Sequence, residues 1–123
     1  MSGKIEKFED LDCWKESRVL VKMIYQLTRS SSFSKDFGLK DQIQRASVSV
    51  MSNVAEGFET YSDLEFIRFL GFASRSCAEV RSQLYAALDI GYVEDGAFSE
   101  VLQQTHKCSN YIKAFIKYLR TKT

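Results

Sequence analysis

The sequence predicts an all-α protein, an up-down antiparallel four-helix bundle with surface left over for self-association. Three observations carry that prediction. No proline occurs among the 123 residues, and proline is the residue that most strongly interrupts helix interiors. Four long stretches repeat apolar residues at helical spacing and are joined by short connections, the pattern of antiparallel neighbours. Two of those stretches carry more apolar or small-residue surface than one bundle core uses. Length alone allows one core without staples, so residues 1–123 are read as a single domain.

The first helix is expected over residues 11–28, with Asp10 or Asp12 as its N-cap. Phe8, Leu11 and Trp14 form an apolar entry, Val21, Ile24 and Leu27 continue it, and Ser30, Ser31 and Ser32 end it. The second helix is expected over 38–58, starting near Phe37 or Leu39, with Gly57 where a C-terminal cap would lie. The third, over 62–90, opens with the capping box Ser62-Asp63-Leu64-Glu65 and stops at Gly91. Its seam of Phe66, Leu70, Ala73, Cys77, Val80, Leu84 and Ala87 alternates steps of four and three, a bundle pattern. The fourth helix is expected over 95–120, opening at Glu94 or Asp95. It carries Phe98, Val101 or Leu102, Thr105, Cys108, Ile112, Phe115 and Leu119.

The most informative stretch is residues 42–57. Ile43, Ala46, Val48, Val50, Met51, Val54 and Ala55 cover roughly 200° of its circumference at about 100° per residue. The remaining stripe holds Gln42, Arg45, Ser49, Ser52, Asn53 and Glu56. Short hydrogen-bonding groups replace the Lys and Glu of an ordinary solvated face, which suits contact with another surface. Arg45 and Glu56 stand about 16 Å apart along the helix at 1.5 Å per residue, so each needs a partner elsewhere. The stripe is read as a network that sets register and subunit contact. A second seam on the third helix, Leu64, Ile67, Gly71, Ser74, Ala78 and Tyr85, points the same way, because Gly71 in a helix interior lets another backbone approach. An oligomer follows, with the second and third helices at its interface. The competing reading places both faces inside one bundle.

Composition excludes several functions. A net charge of +1 gives no global attraction to nucleic acid or anionic membrane. No segment approaches the ~18 consecutive apolar residues of a membrane span, and the N-terminus lacks the apolar core of a signal peptide. A cytoplasmic protein is expected. Cys13, Cys77 and Cys108 are far apart in sequence and read as free buried thiols; with no CxxC pair and one histidine, no metal site is expected. No phosphate-binding glycine loop, dinucleotide fingerprint or Glu-x-x-His pair occurs, so no cofactor and no small-molecule substrate is expected. Ser49, Ser52 and Glu56 could be imagined as catalytic, but no histidine or lysine in the stripe can activate a serine. No catalytic residue is assigned.

Local charge is less even than the total. Lys107, Lys113, Lys117, Arg120 and Lys122 follow Val101 with no Asp or Glu among them, and Lys15, Arg18, Lys22 and Arg29 recur along the first helix. Repeated around an assembly, such stripes could attract the phosphates of RNA or DNA. Cationic stripes on bundles also serve simply as solvated faces.

The motifs Phe8-x-x-Leu11-x-x-Trp14, Gln42-x-x-Arg45-Ala46-x-x-Ser49-x-x-Ser52-Asn53-x-Ala55-Glu56-Gly57, Phe66-x-x-Phe69-x-x-x-Ala73 and Ser76-x-x-Glu79-x-x-x-Gln83-Leu84 span nearly the whole chain. Together they resemble the four-helix bundle proteins encoded by intervening sequences of bacterial 23S ribosomal RNA genes. The resemblance implies a left-handed up-down bundle closing into a homopentameric ring with no known enzymatic activity. It adds Ser76 and Glu79 to the assembly residues. A related branch looks like the strongly basic, nucleic-acid-binding accessory proteins of diversity-generating retroelements. This chain departs from it in its near-neutral charge, and Arg75 stands where many family members have glycine before the serine matched by Ser76.

Overall fold

The structure is a computed structural model that describes residues 5–122. Four long helices dominate: α1 (Asp12–Leu27), α2 (Phe37–Phe58), α3 (Asp63–Ile90) and α4 (Asp95–Lys122). Short 3₁₀ turns at Phe8–Asp10 and Phe33–Lys35 precede α1 and α2, and no strand occurs among the described residues. The helices pack in cyclic order, α1 on α2, α2 on α3, α3 on α4 and α4 back on α1. Rising numbers on one helix meet falling numbers on the next, so neighbours are antiparallel. Along α2–α3, Gln42 meets Gln83, Ser49 meets Ser76, and Gly57 lies against Phe66. Along α3–α4, the Phe66 ring meets Phe115 and Tyr85 meets Phe98.

The expected seam of α3 is buried at every position, and Phe98, Val101, Thr105, Cys108, Ile112 and Leu119 of α4 are buried opposite it. The apolar arc of α2 is narrower than its sequence suggests. Ile43, Ala46, Val50 and Val54 are buried, whereas Val48 is 37% exposed and Met51 and Ala55 are half-buried. Ser47 is fully buried instead, satisfied by donating to the Gln44 carbonyl at 2.8 Å. No described helix is long and apolar enough to cross a membrane.

The helix ends correct several expectations. Neither Asp10 nor Asp12 caps α1. Leu11 occupies the cap position, because its N–H closes the preceding turn onto the Phe8 carbonyl at 2.9 Å while its side chain enters the core. Asp12 lies in the first turn, where a carboxylate complements the helix dipole. At α3 only half of the capping box forms: Ser62 Oγ accepts from Glu65 N at 3.3 Å, but Glu65 turns to Arg68 at 3.1 Å. Gly91 ends α3 at φ +94°, as a left-handed stop requires. Gly57 is not a cap. It is helical and buried, and a Cβ there would sit 2.8 Å from Phe66 Cδ1 and from Phe69 Cβ. Glycine at this point lets α2 and α3 approach.

The connection between α1 and α2 is more ordered than its serines suggest. Phe33 is fully buried and stacks on Tyr92 with ring centroids 5.1 Å apart. Tyr92 Oη donates to Asp36 Oδ2 at 2.8 Å, and Asp36 Oδ1 accepts from Leu39 N at 3.0 Å as the N-cap of α2. One pole of the bundle is thereby closed. At the other pole, Ile5, Phe58, Phe66, Phe115, Tyr118 and their neighbours line a cavity of about 650 Å³.

The Leu39 amide, and then the Tyr92 hydroxyl, hold the Asp36 carboxyl below its ordinary value of 3.8. A carboxylate depressed on folding stabilises the native state above its unfolded pKa and loses that contribution as pH falls through the folded value. Asp36→Asn is therefore expected to be less stable than wild type at neutral pH. The difference should shrink below pH 3.8, read by urea midpoints across an acid series. A pH-independent difference would show that the carboxylate charge is not what matters.

Candidate functional site

The face between α2 and α3 gathers most of the sequence-derived assembly residues, because the antiparallel register sets the polar stripe of α2 beside the flank of α3. Asn53 Nδ2 donates to the Ser49 carbonyl at 2.8 Å and to Ser49 Oγ at 3.0 Å, while Ser76 Oγ donates to Ser49 Oγ at 3.0 Å. About two turns away, Gln83 Nε2 donates to Gln42 Oε1 at 3.4 Å. Ser52 sits half-buried along the same stripe. The Ser49–Ser76 and Gln42–Gln83 bonds tie the two helices together at fixed register, while Asn53 braces Ser49 from within α2. No group hydrogen-bonded to Ser49 can accept its proton, so the cluster has no means of making a nucleophile.

The charged members behave differently. Arg45, Glu56 and Glu79 are exposed and form no ion pair among the described residues. Beside them on α3, Phe69 and Phe72 pack edge to face with centroids 5.7 Å apart. The Arg68 guanidinium lies 5.1 Å and that of Arg75 5.2 Å from the Phe72 ring. This Arg–Phe–Arg layering is absent from the sequence reading, though the i, i+4 and i, i+3 spacing of Arg68, Phe72 and Arg75 signals it. Around the same helix, Gly71 has no atom within 4 Å of where a Cβ would be, and Leu64 is 70% exposed. The second seam of α3 is therefore open only in part: Leu64, Gly71 and Ala78 have free surface, whereas Ile67 packs on the core and Tyr85 meets Phe98.

The basic residues do not form one surface. Arg18 and Lys22 border a groove between α1 and α2 floored by Val21, Val48 and Met51, and Lys15 is exposed elsewhere on α1. Lys107 turns toward α1 and pairs with Glu16 at 3.5 Å, where Gln104 also donates to Glu16 Oε1 at 2.9 Å. Lys122 pairs with Asp63 at 3.6 Å. Lys113, Lys117 and Arg120 remain on the exposed side of α4. Among the described residues no group of three or more His, Cys, Asp or Glu could hold a metal ion.

The model of the family described as 23S rRNA-intervening sequence protein matches residues 9–114. The chain belongs to that family. The match takes in the α2 stripe, the α2–α3 face and most of α4, so the family signature and the polar ladder lie on the same helices. Among solved structures, a protein of unknown function from the S23 ribosomal protein family of Bacteroides thetaiotaomicron VPI-5482 is similar in fold, with a TM-score of 0.78 at 19% identity. The alignment covers 85% of this chain and 98% of that one. No curated protein sequence matches the chain. The 23S intervening-sequence family thus accounts for the helical architecture, and the similar structure bears the description of unknown function.

Proposed function

We propose that this intervening-sequence protein is a non-catalytic assembly module. Its protomers associate through the α2–α3 face and the open part of the α3 seam into a closed homo-oligomeric ring, with five subunits as the family resemblance implies. One observation carries the reading: α3 exposes a glycine that nothing in its own protomer approaches, while a different flank, against α2, presents charges of both signs that form no ion pair among the described residues, Arg45, Glu56 and Glu79. Charges of both signs around apolar and small groups let such a face meet a partner without accumulating repulsion. A ring requires a heterologous contact, with one surface of each protomer meeting a different surface of the next. Residence in the cytoplasm belongs to the same proposal.

Light scattering at micromolar concentration is expected to give a mass several times the 14.1 kDa protomer. Gly71→Glu should lower that mass while leaving the helical circular dichroism intact, since the protomer has room for the side chain. A wild-type monomer, or a Gly71→Glu variant assembled like wild type, would refute the interface.

A second reading is nucleic-acid binding, favoured by the exposed cations Lys113 and Lys117 on a stretch of α4 that has no acidic residue after Glu100. Repeated around a ring, they would contact phosphates. RNA or DNA retention should then weaken steeply as salt rises. No retention at low salt removes this reading and leaves the assembly proposal standing.

A further inference from the structure

The cavity at the pole opposite Phe33 is walled by aromatic rings from three helix ends. Phe58 closes α2, Phe66 lies near the start of α3, and Phe115 and Tyr118 belong to the last two turns of α4. The rings meet in series: Phe58 and Phe66 with centroids 6.0 Å apart, Phe66 and Phe115 at 5.2 Å, Phe115 and Tyr118 at 5.7 Å. A volume of about 650 Å³ lies within the range of small-molecule pockets.

The charge around this cavity is mainly of one sign. Glu6 and Asp63 line it, and Lys122 is the only cation among its described lining residues. Asp10 and Asp12 line the adjoining groove, which shares Ile5, Phe115 and Tyr118 with the cavity and has no cation in its described lining. Lys122 shows what such a place holds. Its Nζ lies 3.6 Å from Asp63 Oδ2 and 5.6 Å from the centre of the Tyr118 ring, so a carboxylate and an aromatic face share one ammonium. Both partners are partly exposed, and such a pair contributes little stability, so an incoming ammonium can displace the tethered one.

Tyr61 supplies an independent sign. Its φ is +54°, and it is the only non-glycine with positive φ among the described residues. A bulky side chain in this conformation carries strain that glycine would avoid. Yet Tyr61 lines the cavity while 86% exposed. A guest in the cavity would give that ring a surface to cover.

We propose that the cavity binds a small primary ammonium compound with an apolar body. The ammonium takes the place of Lys122 Nζ against Asp63 and the Tyr118 ring. The body lies against Phe58, Phe66 and Phe115, and Tyr61 closes over it. Glu6 adds to the attraction for a cation and opposes a carboxylate, so an amine is preferred to the matching amino acid. The site uses neither Gly71 nor the Ser49–Ser76 contact and does not rest on the assembly proposal.

The test titrates the isotope-labelled full-length protein with phenethylamine, which is protonated at neutral pH, and follows amide chemical shifts. Saturable shifts are expected at Tyr61, Asp63, Phe115 and Tyr118. Phenylalanine, phenylacetate and benzyl alcohol should each bind at least about tenfold more weakly. Asp63→Asn should weaken the amine about tenfold by removing a charge-assisted hydrogen bond, with helical circular dichroism unchanged. Lys122→Ala should strengthen it about threefold by removing the internal competitor, and its place at the end of α4 leaves the core intact. No saturable shift, shifts centred away from the cavity, or equal binding of phenylacetate or benzyl alcohol would overturn the site. So would weaker binding in Lys122→Ala, or an unchanged affinity in a folded Asp63→Asn.

Discussion

Phe33→Ala is expected to lower the unfolding free energy by about 3–5 kcal/mol, the usual cost of emptying a fully buried aromatic site. Phe33 has no exposed surface and is the largest fully buried side chain among the described residues, although it lies in a connection between helices. Its ring holds Tyr92, and Tyr92 holds the Asp36 cap of α2. Removing the ring therefore opens a void and loosens the contact between the α1–α2 and α3–α4 connections at once. Urea unfolding at fixed protein concentration measures the loss, the fixed concentration being necessary for a chain that associates. A loss below about 1 kcal/mol, the range of ordinary surface substitutions and mild core changes, would show that the connection does not anchor this pole.

Gly57→Val should cost about 3 kcal/mol by overpacking, with Gly57→Ala between it and wild type. Helix propensity pulls the other way by up to about 1 kcal/mol for alanine, so the sign depends on whether the neighbours can yield. They cannot yield cheaply. One of the atoms 2.8 Å from the added carbon is Phe69 Cβ, which is fixed to the α3 backbone and moves only if the two helix axes separate. Separation would also stretch the contact between Ser49 and Ser76 a few turns away. Thermal midpoints falling in the order Gly, Ala, Val would bear this out. A midpoint for Gly57→Ala above wild type would mean that the helices have slack here.

How far the sequence could be read depends on the length of the signal. The α3 seam repeats over three heptads, and every position from Phe66 to Ala87 in it is buried. Repetition averages out local exceptions. Single residues were less legible. Gly57 has the composition of a cap, and only the positions of Phe66 and Phe69 from the next helix reveal it as a close-contact site. Phe33 follows a run of serines, and its burial depends on Tyr92, far along the chain. The polar stripe of α2 stood out by composition, but which of its members reach α3 follows from register. Ser49, Asn53 and Ser76 meet, while Arg45 and Glu56 point to solvent.

The two poles of the bundle also differ in how they give way. At the Phe33–Tyr92 pole, side chains from both connections interlock over the helix ends. At the opposite pole the aromatic rings of Phe58, Phe66 and Phe115 touch along their edges around a cavity, with the Lys122–Asp63 pair at its rim. A cavity and a partly exposed ion pair at that end mean lower free energy for local opening there than at the clasped pole. Fraying therefore starts where α1 begins and α4 ends, and it advances toward the clasped pole like a zipper with one closed end.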